Sequence, residues 1–200
     1  MTRSDYERKR DFTRTPEPRG DEDGSRRARR NAPVFVVQEH DASTRHFDFR
    51  LEVEGVLKSW AVPKGPSTDP REKRLAVPTE DHPLDYADFE GVIPEGEYGA
   101  GTVLLWDTGS YENITEKEDG IVPAQQALAD GHLLVWLHGE KLRGGYALQR
   151  ITQDGETRWL LVKMDDDEAD ARRNPVSSEP RSVKSGRTMQ EIAREADAAS

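Results

Sequence analysis

The sequence predicts a mainly β fold: an antiparallel β-barrel with one or two short helices and flexible tails. Two observations point there. Between Val34 and Met164 the chain is a series of short runs rich in β-branched and aromatic residues, punctuated by Gly, Pro and Asp. That spacing suits an antiparallel barrel or sandwich. Before that span, residues 1–32 are charge-dense and have no apolar period, so they lack the means to bury a face. Hydrophobic and charged residues each make up 34% of the 200 residues, too polar a balance for the whole chain to form one globule.

Residues 1–32, dense in Arg, Asp, Glu and Pro, read as a charged N-terminal arm. Residues 33–165 carry the barrel. Its expected strands are "VFVVQ" (34–38), "HFDFRLEV" (46–53), "VLKSWAV" (56–62), "RLAVPT" (74–79), "TVLLWD" (102–107), "HLLVWLHG" (132–139), "GYALQRIT" (145–152) and "TRWLLVKM" (157–164). Trp60, Trp106, Trp136 and Trp159 lie inside these runs and are expected in the core. The glycines of "EGVIPEGEYGAG" lack the Lys-Ser/Thr of a phosphate-binding loop, so they read as a hairpin rim. A short helix is expected at "PAQQALADG", with Pro123 near its start and Gly131 after its end. Residues 166–200 read as a flexible tail with one short helix, where Thr188 and Glu191 have capping-box spacing.

Composition excludes several chemistries. Without cysteine there is no disulfide, thiol nucleophile or thiolate ligand. No apolar run is long enough to span a bilayer, and the N-terminus lacks a signal h-region. A cytoplasmic protein with no membrane partner is expected. The net charge of −10 opposes nonspecific binding to nucleic acid. A nucleic-acid function therefore needs a local answer, such as a divalent cation with a few arginines beside it.

The run "HFDFRLEV" offers one. Alternate side chains on a strand point to opposite faces. Phe47, Phe49, Leu51 and Val53 take one face, and His46, Asp48, Arg50 and Glu52 the other. His40 lies across "DASTR", whose turn formers can return it to the same side. Two imidazoles and a carboxylate suit Mn, Fe, Zn or a related ion. The competing reading is the wet face of an edge strand. Arg50 continues the row and can fork onto phosphate oxygens. In "TEDHPLDY", His82 could donate a proton, Tyr86 a phenolic hydrogen bond, and Glu80 could orient a histidine. The same string could be no more than a turn. The loop "PKGPSTDPREKRLAV" is the most basic stretch within the body, and Lys64 and Arg74 are its expected contacts to a nucleic-acid backbone. His132 and His138, at the ends of an apolar strand, are assigned to structure.

The strings "FVVQEHDASTRHFDFRLEVEGVLKSWAVPKGPS", "EDHPLDYADFEGVIPEGEYGAGTV" and "KRDFTRTPEP" resemble the 3′-phosphoesterase domain of bacterial DNA ligase D. No K-x-D-G nucleotidyl-lysine motif is present, so a free-standing version of that module is expected. The resemblance implies a β-barrel holding one catalytic manganese, or another divalent transition metal. It implies action on DNA or RNA 3′ ends at a primer-template, in repair linked to nonhomologous end joining. The reactions implied are 3′-phosphate removal and 3′-ribonucleotide trimming, with end-joining ligase or polymerase proteins acting in trans. By the same resemblance, His40, His46 and Asp48 match the metal ligands. Arg50, His82 and Tyr86 match residues around the reacting phosphate, and Glu80 a neighbouring acid. Arg10, Asp11 and Glu17 match arm residues needed for activity, which would bring the arm over or beside the site. Two other readings stay open: a noncatalytic DNA-end binding module, and a cupin-like iron oxygenase with His46, Asp48 and His82 as ligands.

Overall fold

The eight runs become eight strands of one closed wall. The structure, a computed structural model, describes residues 2–20 and 31–199; residues 21–30 of the expected arm lie outside the described residues. In chain order the strands are β1 (Val34–Asp41), β2 (Arg45–Val53), β3 (Val56–Val62), β4 (Lys73–Pro78), β5 (Gly91–Ile93), β6 (Gly101–Asn113), β7 (Glu116–Lys117), β8 (Gly120–Ile121), β9 (His132–His138), β10 (Arg143–Gln153) and β11 (Glu156–Lys163). The helices are α1 (Arg3–Arg8), α2 (Ala124–Asp130), α3 (Pro175–Ser178) and α4 (Met189–Ala199).

The wall runs β1-β2-β3-β4-β11-β10-β9-β6, and β6 pairs back onto β1 to close the barrel, antiparallel throughout. Closure removes the free edges that an open sheet would expose. The short β5 flanks β6, and β7 and β8 form a separate two-stranded ribbon. The β1–β6 register slips between Val37 and Gln38, so Trp106 is an extra residue on β6. Its ring is fully buried in the interior and meets Phe47 edge-on at 5.6 Å.

Both faces of β2 are buried, so its alternation does not show as alternating exposure. Phe47, Phe49 and Leu51 point into the barrel, where they pack with Phe35, Val37, Trp60 and Tyr146. A second apolar cluster lies apart from that core, with Tyr6, Val36, Leu57, Tyr86, Phe89, Ile93, Val103 and Leu105. On β1 and β6 it takes the side chains that alternate with the interior ones, so it lies against the outer wall. The layer that covers it comes from α1, the 3-10 turn Leu84–Asp88 and β5.

The expected helix at Pro123 is α2, with Gly131 closing it at φ 87°. The capping box at Thr188 forms: the Thr188 N–H donates to Glu191 Oε2 at 2.7 Å, and the Glu191 N–H to Thr188 Oγ1 at 3.3 Å. The segment after β11, expected as a tail, runs along the barrel. Asp170 N–H donates to the Thr68 carbonyl, Trp106 Nε1–H to that of Glu179, and Val183 N–H to that of Leu105. Met189 and Ile192 of α4 are buried against the body. Among the described residues no helix is long and apolar enough to cross a membrane.

Candidate active site

The β1–β2 hairpin places His40 and His46 directly opposite each other in the ladder, with their rings 5.0 Å apart. Asp48 lies one pleat further along the same face of β2. His40 Nδ1 is 3.8 Å from Asp48 Oδ2, and His46 Nε2 is 3.5 Å from Asp48 Oδ1. One ligand atom from each residue lies within 4.8 Å of the others. The two contacts are long for hydrogen bonds, but they approach the separation of two donors sharing one ion. Donors about 2.1 Å from a metal in tetrahedral array sit roughly 3.4 Å apart.

Backbone carbonyls fix the tautomers. His40 Nε2 donates to the Gly99 carbonyl at 2.8 Å, and His46 Nδ1 to that of Thr44 at 2.9 Å. In the neutral rings the nitrogens left without a proton are then Nδ1 of His40 and Nε2 of His46, the two that face Asp48. Burial raises the Asp48 carboxyl, but the Arg50 guanidinium and His46 outweigh it and hold the group far below its ordinary range. Burial lowers His40, with Asp48 opposing. The Asp48 contact is the main cause that raises His46. A carboxylate held ionised between two oriented imidazoles fits a divalent transition ion.

Arg50 is buried next to this group. Its Nη2 donates to Asp48 Oδ2 at 3.0 Å, Nε to Gln38 Oε1 at 2.7 Å, and Nη1 to Ser59 Oγ at 2.9 Å and to His82 Nδ1 at 3.1 Å. Four of its five N–H donors are thus used by the protein. A fork onto two phosphate oxygens requires it to release one of them. Gln38 holds the far side of this array, donating to the Tyr86 and Phe89 carbonyls, both at 3.0 Å.

His82 is anchored by a bridge to Leu57 on β3. A guanidinium can only donate, so its contact makes His82 Nδ1 the acceptor and leaves the proton on Nε2. The Glu80 carbonyl, 2.9 Å from the same Nδ1, favours the opposite tautomer. We assign the proton to Nε2 because the charge-assisted contact is the stronger. Burial, then Arg50 and Arg10, drives the imidazole well below its ordinary value, so it is neutral. Burial likewise raises the Tyr86 phenol.

The arm completes the pocket. Arg10 donates through Nε to Glu17 Oε1 at 2.8 Å and through Nη1 to Glu80 Oε1 at 3.1 Å, and it stacks 3.8 Å from the Tyr6 ring centre. Tyr86 donates its hydroxyl to Glu17 at 3.1 Å. Burial alone would raise Glu80, but a backbone hydrogen bond and Arg10 lower it overall. A cavity of about 280 Å³ brings together Arg10, Glu17, His40, His46, Asp48, Arg50, Glu80, His82 and Tyr86.

Three expected residues lie elsewhere. Asp11 accepts from the Thr13 N–H and hydroxyl and shapes the arm's turn. Lys64 and Arg74 line a separate cavity with Lys73 and Glu72, and Arg74 pairs with Glu72. Sequence reasoning missed Gln38, Ser59, Tyr98 and the Gly99 carbonyl. Gln38 had one signal: a polar residue inside an apolar run, in step with His40.

Comparison with known proteins gives a consistent result. Residues 38–150 match the family model described as the DNA Ligase D 3′-phosphoesterase domain. The chain is 49% identical over 192 residues to the multifunctional non-homologous end joining protein LigD of Pseudomonas aeruginosa, covering 93% of this chain and 21% of that protein. It is 44% identical over 159 residues to LigD of Mycobacterium tuberculosis, covering 80% and 19%, and 48% identical over 164 residues to that of Mycolicibacterium smegmatis, covering 80% and 20%. The chain thus spans about one fifth of the length of the curated relatives it matches.

Proposed function

The chain belongs to the DNA ligase D 3′-phosphoesterase domain family, and from that premise we propose a metal-dependent hydrolase that processes nucleic-acid 3′ ends in end joining. Its reactions are removal of a 3′-phosphate and trimming of a 3′-ribonucleotide, with ligase or polymerase partners acting in trans. The observation that carries this reading is the donor set of His40, His46 and Asp48, with its unprotonated nitrogens turned inward, abutting Arg50 and His82 in one cavity. Residues 1–32 and 33–165 act in it as one working unit, because Arg10 and Glu17 belong to the same pocket.

His40, His46 and Asp48 would hold manganese or another divalent transition ion. When bound, the ion polarises a phosphoryl oxygen and lowers the pKa of coordinated water. Arg50, buried and fixed by four partners, offers positive charge at the point where charge develops on the phosphoryl group. Holding that charge in place beforehand avoids reorganisation during the reaction. His82, neutral and protonated at Nε2, donates to the ester or leaving oxygen. Tyr86, tied to Glu17, sets the floor beneath Arg50, whose guanidinium carbon lies 4.9 Å from the Tyr86 ring centre. The ligand set proposed for an iron oxygenase is not favoured: among the described residues the donor group contains His40, not His82.

The test is a primer-template ending in a 3′-phosphate or a 3′-ribonucleotide, incubated with manganese or chelator and resolved on a gel. Metal-dependent conversion of both ends to 3′-OH DNA is expected, and loss of it in His46→Ala. Undiminished conversion by His46→Ala would remove the ligand assignment. No conversion by the native chain with any of manganese, cobalt, iron or zinc would remove the enzyme reading.

A further inference from the structure

One aromatic ring at the mouth of the cavity has no part in the chemistry above. Tyr98 lines the pocket and is 47% exposed, whereas Tyr6, Tyr86 and Phe89 nearby are buried. Among the described residues it is the exposed aromatic in a set of large apolar side chains otherwise made up of Val77 and Ile121. Single exposed apolar residues are common; this one is set apart by lining the candidate phosphate site.

Its position is fixed. The next residue, Gly99, supplies the carbonyl that orients His40, so the ring is held at a set distance from the metal donors. Gly99 has φ 74°, a left-handed conformation that glycine adopts without strain, so the turn after Tyr98 suits glycine. The arm grips the same loop: Lys9 Nζ donates to the Tyr98 hydroxyl at 3.2 Å and lies over the ring at 4.7 Å from its centre, the Arg10 guanidinium lies over it at 5.3 Å, and Arg14 pairs with Glu97 at 3.0 Å, so a stacked base would take the part of the ring open to solvent.

We infer that Tyr98 is a stacking platform for the base of the 3′-terminal nucleotide, seating any of the four bases while the phosphate enters the pocket. The inference rests on the 3′-end phosphoesterase reading and names how that site recognises its end. The chemistry fits the task. Repair of broken ends demands tolerance of sequence, and every base presents a π-face to an aromatic ring. Lys9, which lies over part of the ring, adds positive charge near the phosphates that flank that base.

The test measures binding by fluorescence anisotropy, in manganese, of primer-templates ending in a 3′-phosphonate, in which carbon replaces the scissile oxygen. One substrate ends in a normal nucleoside and the other in an abasic sugar. For the normal end, Tyr98→Ala should weaken binding about 5- to 150-fold, the range carried by one base–aromatic stack. Tyr98→Phe should bind like the native protein, since it keeps the ring and loses only the hydroxyl contact to Lys9. For the abasic end, the native protein and Tyr98→Ala should bind alike. Equal losses on both ends, or a Tyr98→Phe loss equal to that of Tyr98→Ala, would show that the residue only latches the arm, and would overturn the proposal. Unchanged binding by Tyr98→Ala would overturn it too. Failure of the phosphoesterase reading shows separately, as native protein that binds these ends but releases no phosphate from a cleavable one.

Discussion

Replacing Arg10 by methionine should unseat the arm, and the structure sets the scale. The Arg10 side chain is 5% exposed, and those of Glu17 and Glu80 are 0% and 4% exposed. Arg10→Met keeps the stem's packing on Tyr6 but takes the cation from buried Glu17, while Glu80 keeps only Lys9 at 3.3 Å. Removing one partner of a buried ion pair costs about 3–5 kcal/mol, because the remaining charge is uncompensated. An exposed pair would cost about 0–1 kcal/mol. The arm can escape that cost by leaving the barrel, so the loss in stability is capped by the free energy of arm docking. Urea unfolding gives the global loss, and hydrogen exchange at residues 2–20 reports local release. The pH dependence adds a signed check. In the native protein Glu80 titrates below its ordinary 4.5, so its stabilising contribution is present above that value and lost as pH falls through the lower folded one. Without Arg10 the group loses one of its two cations, so its folded value rises. The gap between native and variant should therefore be widest near pH 7 and close toward pH 4. A loss below about 1 kcal/mol with unchanged exchange in the arm, or a gap that widens in acid, would refute the claim that the arm is locked in by this charge.

Other outcomes follow from the same geometry. Manganese at a hundred times its dissociation constant should stabilise the folded chain by about 2.7 kcal/mol. At roughly 2–4 °C per kcal/mol for a chain of this size, the melting midpoint rises by about 5–10 °C in a calorimetric scan. His46→Ala should abolish that rise, and Arg50→Lys should keep it relative to its own metal-free midpoint. Gly109→Ala should lower the urea-derived stability by about 3 kcal/mol, the upper end of overpacking costs. Its Cβ would lie 2.1 Å from the His138 carbonyl oxygen, a backbone atom that cannot yield. Binding of a 3′-phosphonate end should weaken strongly on chelation, while a 3′-hydroxyl end should respond less.

How much of this was legible in the chain depends on the kind of signal. The eight barrel strands were readable because apolar runs, most of them rich in β-branched or aromatic residues, are separated by turn formers. The inward set Phe47, Phe49 and Leu51 follows from period two alone. What covers the other face does not. Tyr6 is one apolar residue in a charged arm, and nothing in its neighbourhood says that it is fully buried beside Tyr86 and His82. The segment after β11 was read as a tail for a similar reason. Much of what holds it is contact to main-chain carbonyls, as when Trp106 and Lys141 both donate to Glu179. Such contacts carry no side-chain pattern at the acceptor. Gln38 and Ser59 were missed because their work is to aim Arg50, and a residue that aims another has no spacing rule of its own.

The acidic net charge poses the remaining physical question, and local geometry answers it. With the histidines neutral, as ligands are, the ionised residues lining the cavity are two arginines against three carboxylates, one negative charge in all. A divalent cation reverses that sign. A unit charge about 5 Å from a phosphate contributes roughly 3 kcal/mol at an effective dielectric of 20. Charges elsewhere on the surface are screened beyond about 8 Å at physiological salt. The molecule's −10 therefore slows the approach of nucleic acid without deciding the fate of an end already in the pocket. Arg10 is spent on Glu17 and Glu80, and the charge that Arg50 offers a phosphate is offset in part by Asp48. In the proposed reaction most of the attraction would come from an ion held by His40, His46 and Asp48, with Arg50 beside it, so recognition of the phosphate would be coupled to its hydrolysis.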